Sequence, residues 1–399
     1  MTITENLSTP VVKSCDVLVC GGGIAGISAA LAGARQGKKV ILLEKGFMLG
    51  GLATAGLIAI YLPLCDGYGT QVSFGIAEEL LRLSVSMYND GKRGAAWLDG
   101  GKMTEKDPRF EMNYNPQLMA ILSEQLLLKE GVEIMYGTSA AACAMEGDRI
   151  SHVIIESKSG RQAIEALSFV DATGDCDLAV FSAVPTALFG QGNILASWYY
   201  FLGNEGYDLN KLGFSDIPDE DKAILGDTVE KLSDRRYQGV DADEISQFVI
   251  DSHASTLNDV KKRQRTDRSF QPVTIPTVPQ LRMTRKLVGE FDLSARMMHT
   301  RFEDSIGMVS DWRKRGPVYE VPFRTLYSGK CRNLICAGRN TSVTDGMWDI
   351  MRVIPCCAVT GEAAGIAAAM TDDFPALDIS ALQSRLRENG VVIHEDDLH

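Results

Sequence analysis

Three glycines, Gly21, Gly23 and Gly26, stand in the spacing G-x-G-x-x-G, and an acidic residue, Glu44, follows 18 positions after the last of them. That set is suited to holding a dinucleotide. Gly21 permits a tight turn, Gly23 removes the side chain that would strike a pyrophosphate, and Gly26 lets a helix lie close to a strand. The helix N-terminus then faces the phosphates. Glu44 is placed to accept hydrogen bonds from ribose hydroxyls, and its charge disfavours a 2′-phosphate, which speaks for FAD or NAD rather than NADP. The plainer alternative is a tight turn in an α/β protein, which leaves Glu44 unexplained.

The elements around these residues follow from local patterning. The apolar run at 15–20 ends in three glycines and gives way to an alanine-rich stretch reaching Gln36, which reads strand, turn, helix. Gly37 stops the helix and KKVILLEK begins a second strand, so the unit is β-α-β and its strands lie parallel. Pro116 suits the first turn of a helix running to Lys129, and VEIMY then returns the chain to the sheet. Segments 138–145, 150–157 and 161–169, separated by the turn signals EGDR and KSG, predict an antiparallel meander, and 169–177 reads as a strand ending at a glycine turn. A strand is expected at 333–336 and a small-residue helix at 353–370. Further helices are expected at 73–88, 219–233 and 242–265, with irregular chain at 89–107.

Beyond the fingerprint, E-K at 44–45, LGGLATAG at 49–56, DATGD at 171–175, RNLICAGR at 332–339 and MRVIPCCAVTGEAAGIAAA at 351–369 resemble, in order, the flavin-binding motifs of the FAD-dependent oxidoreductases. The subgroup most resembled is one loosely related to fumarate reductase flavoproteins. The resemblance covers most of the chain, and its specific parts are the nucleotide domain and the stretches PQLRMTRKLVGEF and YEVPFRTLY. With the patterning above, it gives an α/β fold class: a Rossmann-like FAD-binding domain with a parallel sheet and β-meander, plus a mixed α+β substrate lobe. The FAD domain is expected to be discontinuous, over 12–62, 114–185 and 321–385, and the lobe to comprise 63–113 and 186–320.

The resemblance also implies non-covalent FAD and its contacts. These fall at Gly21, Gly23, Ile24, Ala25 and Gly26 in the fingerprint, at Glu44 and Lys45, and at Gly50, Gly51, Leu52, Ala53 and Thr54 in the loop that follows. Ala140 is implied to meet the adenine through its backbone. Ala172, Thr173, Gly174 and Asp177 bring small residues close to the adenosine and pyrophosphate, and Gly338, Arg339, Arg352, Ile354 and Ala358 complete the set. A helix beginning near Ile354 would aim free N–H groups at the flavin C2 carbonyl and N1, stabilising the negative charge of reduced flavin. Cys176 departs from the family, which usually has glycine there, and is expected to put a larger side chain near the cofactor.

No second G-x-G-x-x-G and no C-x-x-C pair is present, which argues against a pyridine-nucleotide disulfide reductase. An external donor or acceptor, oxygen included, is then required. Nine cysteines at irregular spacing argue against a disulfide framework or a metal site and for a reducing compartment. The net charge of -12 provides no positive field for nucleic acid or an anionic membrane, and the basic run at 261–268 reads as a solvated helix face. The longest apolar run, 52–64, is too short for a membrane span, and no secretory pattern opens the chain. The expectation is a soluble cytoplasmic protein acting on a small-molecule substrate.

A flavin carries the redox chemistry itself, so the protein supplies orientation, a proton donor or acceptor, and charge stabilisation. Arg282 and Arg285 can bind a substrate carboxylate through a bidentate fork, against the alternative of ordinary ion pairs. His299 can act as a general acid or base, against a structural role. Trp198, Tyr199, Tyr200 and Trp348 suit either an aromatic pocket or a core, with Trp348 better placed, between the AGR motif and the C-terminal helix. Tyr61 is expected to approach the flavin. The expected reaction is hydride transfer between flavin N5 and a small organic substrate. Two alternatives stay open: a thiol-dependent reductase using Cys356 and Cys357, acidified by a helix N-terminus, and a flavin-binding redox sensor without turnover.

Overall fold

The structure is a computed structural model that describes residues 2–87, 111–226 and 229–398; the stretch 89–107 lies outside the described residues. The expected β-α-β unit forms from strand Val11–Cys20, helix Ile24–Arg35 and strand Val40–Glu44. The strands pair in parallel from Val17 opposite Val40 to Cys20 opposite Leu43. Glu133–Tyr136 extends the sheet beside Val40–Glu44. Every residue of Val40–Glu44 is buried, as a strand covered on both faces must be.

On the other side of the first strand lies Gly160–Asp171, a strand of 12 residues. It begins as the last strand of an antiparallel meander with Ser139–Glu146 and Arg149–Ser157 and ends in parallel between Val11–Cys20 and Leu334–Cys336. The segments expected as two strands, 161–169 and 169–177, are therefore one strand followed by a loop. Register aligns Cys20 with both Leu43 and Asp171, Glu44 with Tyr136, and Cys336 with Asp171. Five parallel strands, joined by four pairings, thus end at one carboxyl edge.

Helix Ile354–Met370 is apolar all round and almost wholly buried. It approaches helix Ile24–Arg35 so closely that a Cβ on Gly361 would lie 2.3 Å from the Ala25 carbonyl oxygen, and one on Gly365 would lie 2.1 Å from that of Ala29. On another side the buried Glu362 carboxyl group accepts the Ile76 N–H at 2.8 Å, serving the N-terminus of helix Ile76–Val85, whose own cap position is Gly75. The stretch expected as the lobe contains the three-stranded sheet of Tyr199–Gly203, Gly206–Asn210 and Gln271–Thr274 and the helix Ala242–Arg263, which Asp241 caps by accepting the Glu244 N–H at 2.9 Å. The helix expected at 219–233 is reduced to the short turns Asp219–Asp221 and Lys222–Leu225, because Gly226 leaves helical space at φ +80°. Among the described residues no single helix is long and apolar enough to cross a membrane; the pair Asp345–Met351 and Ile354–Met370 passes together but is bent by 88°.

Burial raises the Glu362 carboxyl from 4.5 to about 8. The folded state therefore holds a proton that the unfolded chain has released, and its stability falls as pH rises from about 4.5 through about 8. Glu362→Gln keeps an acceptor for Ile76 and removes this dependence. The stability of the variant relative to wild type should grow across that window by up to about 1.4 kcal/mol per pH unit. A difference that stays flat in denaturant titrations over the window would sink the assignment.

Candidate functional site

A cleft of about 330 Å³ opens at the carboxyl edge of the sheet, where ligands bind in open α/β folds. Its floor is the glycine turn. Gly21 takes φ +103°, and a Cβ there would sit 2.4 Å from the Ala172 carbonyl oxygen; on Gly26 it would sit 1.8 Å from that of Gly21. Gly23 differs. Its φ of -70° is open to any residue, and a Cβ would meet no protein atom within 4 Å, so nothing in the protein requires glycine there. The helix that follows has no side-chain cap and no acid in its first turn. An uncapped helix start beside a glycine that only a ligand would demand fits a pyrophosphate.

Glu44 shapes this turn while facing the cleft. One carboxylate oxygen accepts the Gly22 N–H at 2.9 Å and the other the Gly46 N–H at 2.6 Å, and each keeps a further lone pair. Gly50 donates to the Gly22 carbonyl at 2.7 Å, which pins the loop Gly50–Ala53 against the fingerprint. Arg339 ties three segments together, donating to Gly174 O at 2.7 Å, to the Asp175 carboxylate at 2.8 Å and to Leu281 O at 3.2 Å. Burial would raise the Asp175 carboxyl, but Arg339 and the Thr284 hydroxyl bring it below the usual carboxylate range. Asp177 is held up by burial and by Asp175, against the pull of Lys45, Arg285 and Arg339.

The cleft brings together Gly21, Gly23, Ile24, Ala25, Glu44, Lys45, Gly50, Gly51, Leu52, Ala53, Ala140, Ala172, Thr173, Gly174, Asp177, Gly338, Arg339, Arg352 and Ile354. Three expected contacts lie off its surface. Gly26 packs beneath Gly21, Thr54 is buried with its hydroxyl on Leu49 O, and Ala358 is buried within its helix. As cofactor contacts, sequence reasoning missed Thr138, Ser139 and Asp175, each adjoining a recognised residue, Cys357, which it named only for its thiol, Gly239, Ile245 and Val278, which carry no local motif, and Pro279, Leu281 and Thr284, which lie in PQLRMTRKLVGEF. Cys176 corrects an expectation: its φ of +54° explains the family's glycine, and its buried side chain turns to Asn340 O at 3.3 Å, off the cleft surface.

Most of the substrate-chemistry candidates are otherwise engaged. Arg285 donates to Asp175 O at 2.7 Å and pairs with Asp177 at 3.2 Å. His299 is on the surface beside Glu395 at 2.8 Å. Trp348 is fully buried, donating to Arg339 O and meeting Phe189 edge-on at 5.8 Å. Tyr61 donates to Ala77 O at 2.5 Å in the core, Tyr199 to Asp259 at 2.5 Å, and Tyr200 stacks on Tyr207 at 5.1 Å. Trp198 packs against Phe214 at 5.7 Å. Arg282 alone of the candidates is both buried and without a hydrogen-bonding partner for its guanidinium among the described residues.

The two vicinal thiols also depart from expectation. Cys357 lines the cleft, but burial pushes its thiol up to about 12 despite Arg339 and Arg352, and burial holds Cys356 well above the ordinary range. Desolvation outweighs the helix dipole here. Iodoacetamide at mildly alkaline pH should therefore leave both thiols unlabelled in native protein over a time that fully labels them in denaturant. Rapid native labelling, read by peptide mass, would reverse this reading.

A family model described as FAD dependent oxidoreductase matches residues 16–197 and 202–386. A thioredoxin reductase of Ureaplasma parvum is 33% identical over 72 residues, 18% of this chain and 23% of that protein. A vinyl phenol reductase of Lactiplantibacillus plantarum is 30% identical over 189 residues, 40% of this chain and 38% of that protein. The chain thus spans well under half the length of these two curated relatives. Among solved structures, a geranylgeranyl bacteriochlorophyll reductase-like protein of Thermoplasma acidophilum aligns with 13% identity and a TM-score of 0.42 over 95% of this chain and 82% of that one.

Proposed function

The chain belongs to the FAD-dependent oxidoreductase family, and on that premise we propose that it catalyses hydride transfer between its flavin and a small organic substrate. The observation that carries this reading is the composition of the cleft. One wall is the sheet edge with its uncapped helix start, and the other is the lobe, through Ile245, Val278, Pro279 and Leu281. A group held on the first wall faces apolar residues of the second, which exclude water from it.

In this reading Gly21, Gly23 and the first N–H groups of helix Ile24–Arg35 hold the pyrophosphate, Glu44 the adenosine ribose, and the Ala140 backbone the adenine. FAD, when bound, supplies two-electron chemistry at its N5 edge. Helix Ile354–Met370 also starts without a side-chain cap, with Pro355 lacking an N–H, so the Ile354 and Cys356 N–H groups remain to stabilise negative charge at the cleft. The buried, protonated thiols give a thiol relay no support. The electron partner is external, because the chain carries one nucleotide fingerprint. The relative named vinyl phenol reductase makes reduction of a conjugated C=C bond the first reaction to try.

The test is the visible spectrum of the purified protein, followed by anaerobic titration with 2-hydroxy acids and amines and, after chemical reduction, with unsaturated compounds. Bleaching or recovery with one class supports the proposal; a yellow protein inert to every class would favour the sensor. Gly23→Ala isolates the cofactor site. Its Cβ meets no protein atom within 4 Å, so thermal unfolding of the apoprotein should match wild type while FAD affinity falls by about 100-fold, roughly 2.7 kcal/mol. Retained FAD in that variant would remove Gly23 from the pyrophosphate site.

A further inference from the structure

A second cavity, of about 630 Å³, lies beside the dinucleotide cleft. Arg352, which lines the cleft, donates to Ser215 at 2.8 Å and to Asp349 at 2.9 Å, and both of these residues line the cavity, so the two spaces are one guanidinium apart. Much of the lining is apolar: Leu212, Phe214, Ile217, Leu225, Leu232 and Trp312. Such a space suits a small organic molecule in size and character. Its two aromatic rings are held in place. Trp312 donates its indole N–H to Asp349 O at 2.9 Å and carries the Arg352 guanidinium 5.7 Å from its ring centroid. Phe214 packs edge-on against Trp198 at 5.7 Å and leaves half of its surface exposed.

The charges around this cavity are satisfied within the protein. Asp216 pairs with Arg236, and Arg313 is shared among Asp221 at 2.6 Å, Asp311 at 3.0 Å and Asp349 at 3.5 Å. Lys211 and Glu230, the other charged residues of the lining, are exposed and opposite in sign. An ion entering here would leave water without gaining a partner, so the cavity selects for a neutral molecule. Two polar groups nonetheless keep hydrogen-bonding capacity. The Ser215 hydroxyl accepts from Arg352 but donates to nothing among the described residues. Asp349 Oδ2 accepts only the long Arg313 contact at 3.5 Å, because Oδ1 takes both Arg352 bonds. These groups are held together by one Arg352 nitrogen, Nη2. A free donor beside a free acceptor matches a hydroxyl group, which uses both; an ether or ketone could use only the donor.

We propose that this cavity binds a neutral aromatic molecule through a hydroxyl group, the hydroxyl accepting from Ser215 and donating to Asp349 and the ring lying against Phe214 and Trp312. The site goes beyond the hydride-transfer reading and holds whether or not its ligand is the molecule oxidised or reduced. Its tie to the cleft is Arg352. The two side chains that hold the hydroxyl also fix that guanidinium, whose Nη1 makes no hydrogen bond among the described residues. A ligand drawing on Ser215 and Asp349 therefore acts on a cation of the cofactor cleft.

The test titrates 4-methylphenol, uncharged at neutral pH, into the FAD-loaded protein by isothermal calorimetry, with its methyl ether 4-methylanisole and the anion 4-methylbenzoate as controls. The phenol should bind saturably, and each control about 10-fold more weakly or not at all. Ser215→Ala removes the free donor and Phe214→Ala the half-exposed ring. Each should weaken phenol binding by about 3- to 10-fold while FAD content stays at the wild-type level. Phe214→Ala also guards against a folding defect, because the residue it replaces is half exposed. Lack of saturable phenol binding, equal or tighter binding of the ether or the benzoate, or unchanged phenol affinity in either variant would overturn the proposal. The measurement needs no turnover, so its failure leaves the hydride-transfer reading standing and its success does not depend on that reading.

Discussion

Everything at the site depends on how closely two helices meet. Ile24–Arg35 and Ile354–Met370 touch through backbone, with Gly361 against Ala25 and Gly365 against Ala29. Larger residues at those glycines would force the axes apart. The contact delivers two uncapped helix starts, at Gly23 and Val353, to one cleft, and neither first turn carries an acidic residue. Two sets of free N–H groups and two positive helix ends then face the same place. The small residues of these helices therefore serve packing and electrostatics through a single geometry.

That arrangement explains how a chain of net charge -12 builds a site suited to an anionic cofactor. The positive ends of the helices are joined by Lys45, Arg339 and Arg352, while the acids of the DATGD segment are engaged locally. Asp171, fully buried, accepts from the Thr173 N–H at 3.1 Å, the Thr173 hydroxyl at 2.7 Å, the Ala179 N–H at 3.1 Å and the Asn340 amide at 3.2 Å. Burial raises its carboxyl to about 6, so its cost is structural, borne to fold the loop Ala172–Gly174 over the fingerprint turn. Overall charge says little about local potential when helix ends and buried pairs set the field.

Much of this was legible in the sequence because it is local. The glycine turn, Glu44 at the end of the second strand, and the order of the flavin-type segments each need only short stretches of chain, and the cleft gathers most of the residues they named. Most of the facing wall was not legible, because Gly239, Ile245 and Val278 reach the cleft only through tertiary closure and carry no pattern of their own. Trp348 and Tyr61 were misjudged for the same reason: an aromatic residue between two motifs looks the same in sequence whether its ring faces a cleft or Phe189 and Tyr114. The 219–233 helix failed on chemistry that was visible, a glycine at 226 whose backbone leaves the helical region.

Arg282 and Arg285 show where sequence stops and structure must decide. Three residues apart in one motif, they looked equivalent as carboxylate forks. Asn193 fixes the first by accepting the N–H groups of Arg282 and Met283, each at 3.0 Å, while the second enters the strand Arg285–Leu287 and falls back on Asp175 and Asp177. One charge is spent inside the protein and the other is not. Gly23 has the same logic in reverse, a side chain removed where no protein atom required its removal. Stability alone favours neither feature, since a buried charge without a partner and a residue with needless backbone freedom both cost the folded state. What the two share is that no hydrogen bond, ion pair or steric contact among the described residues accounts for them.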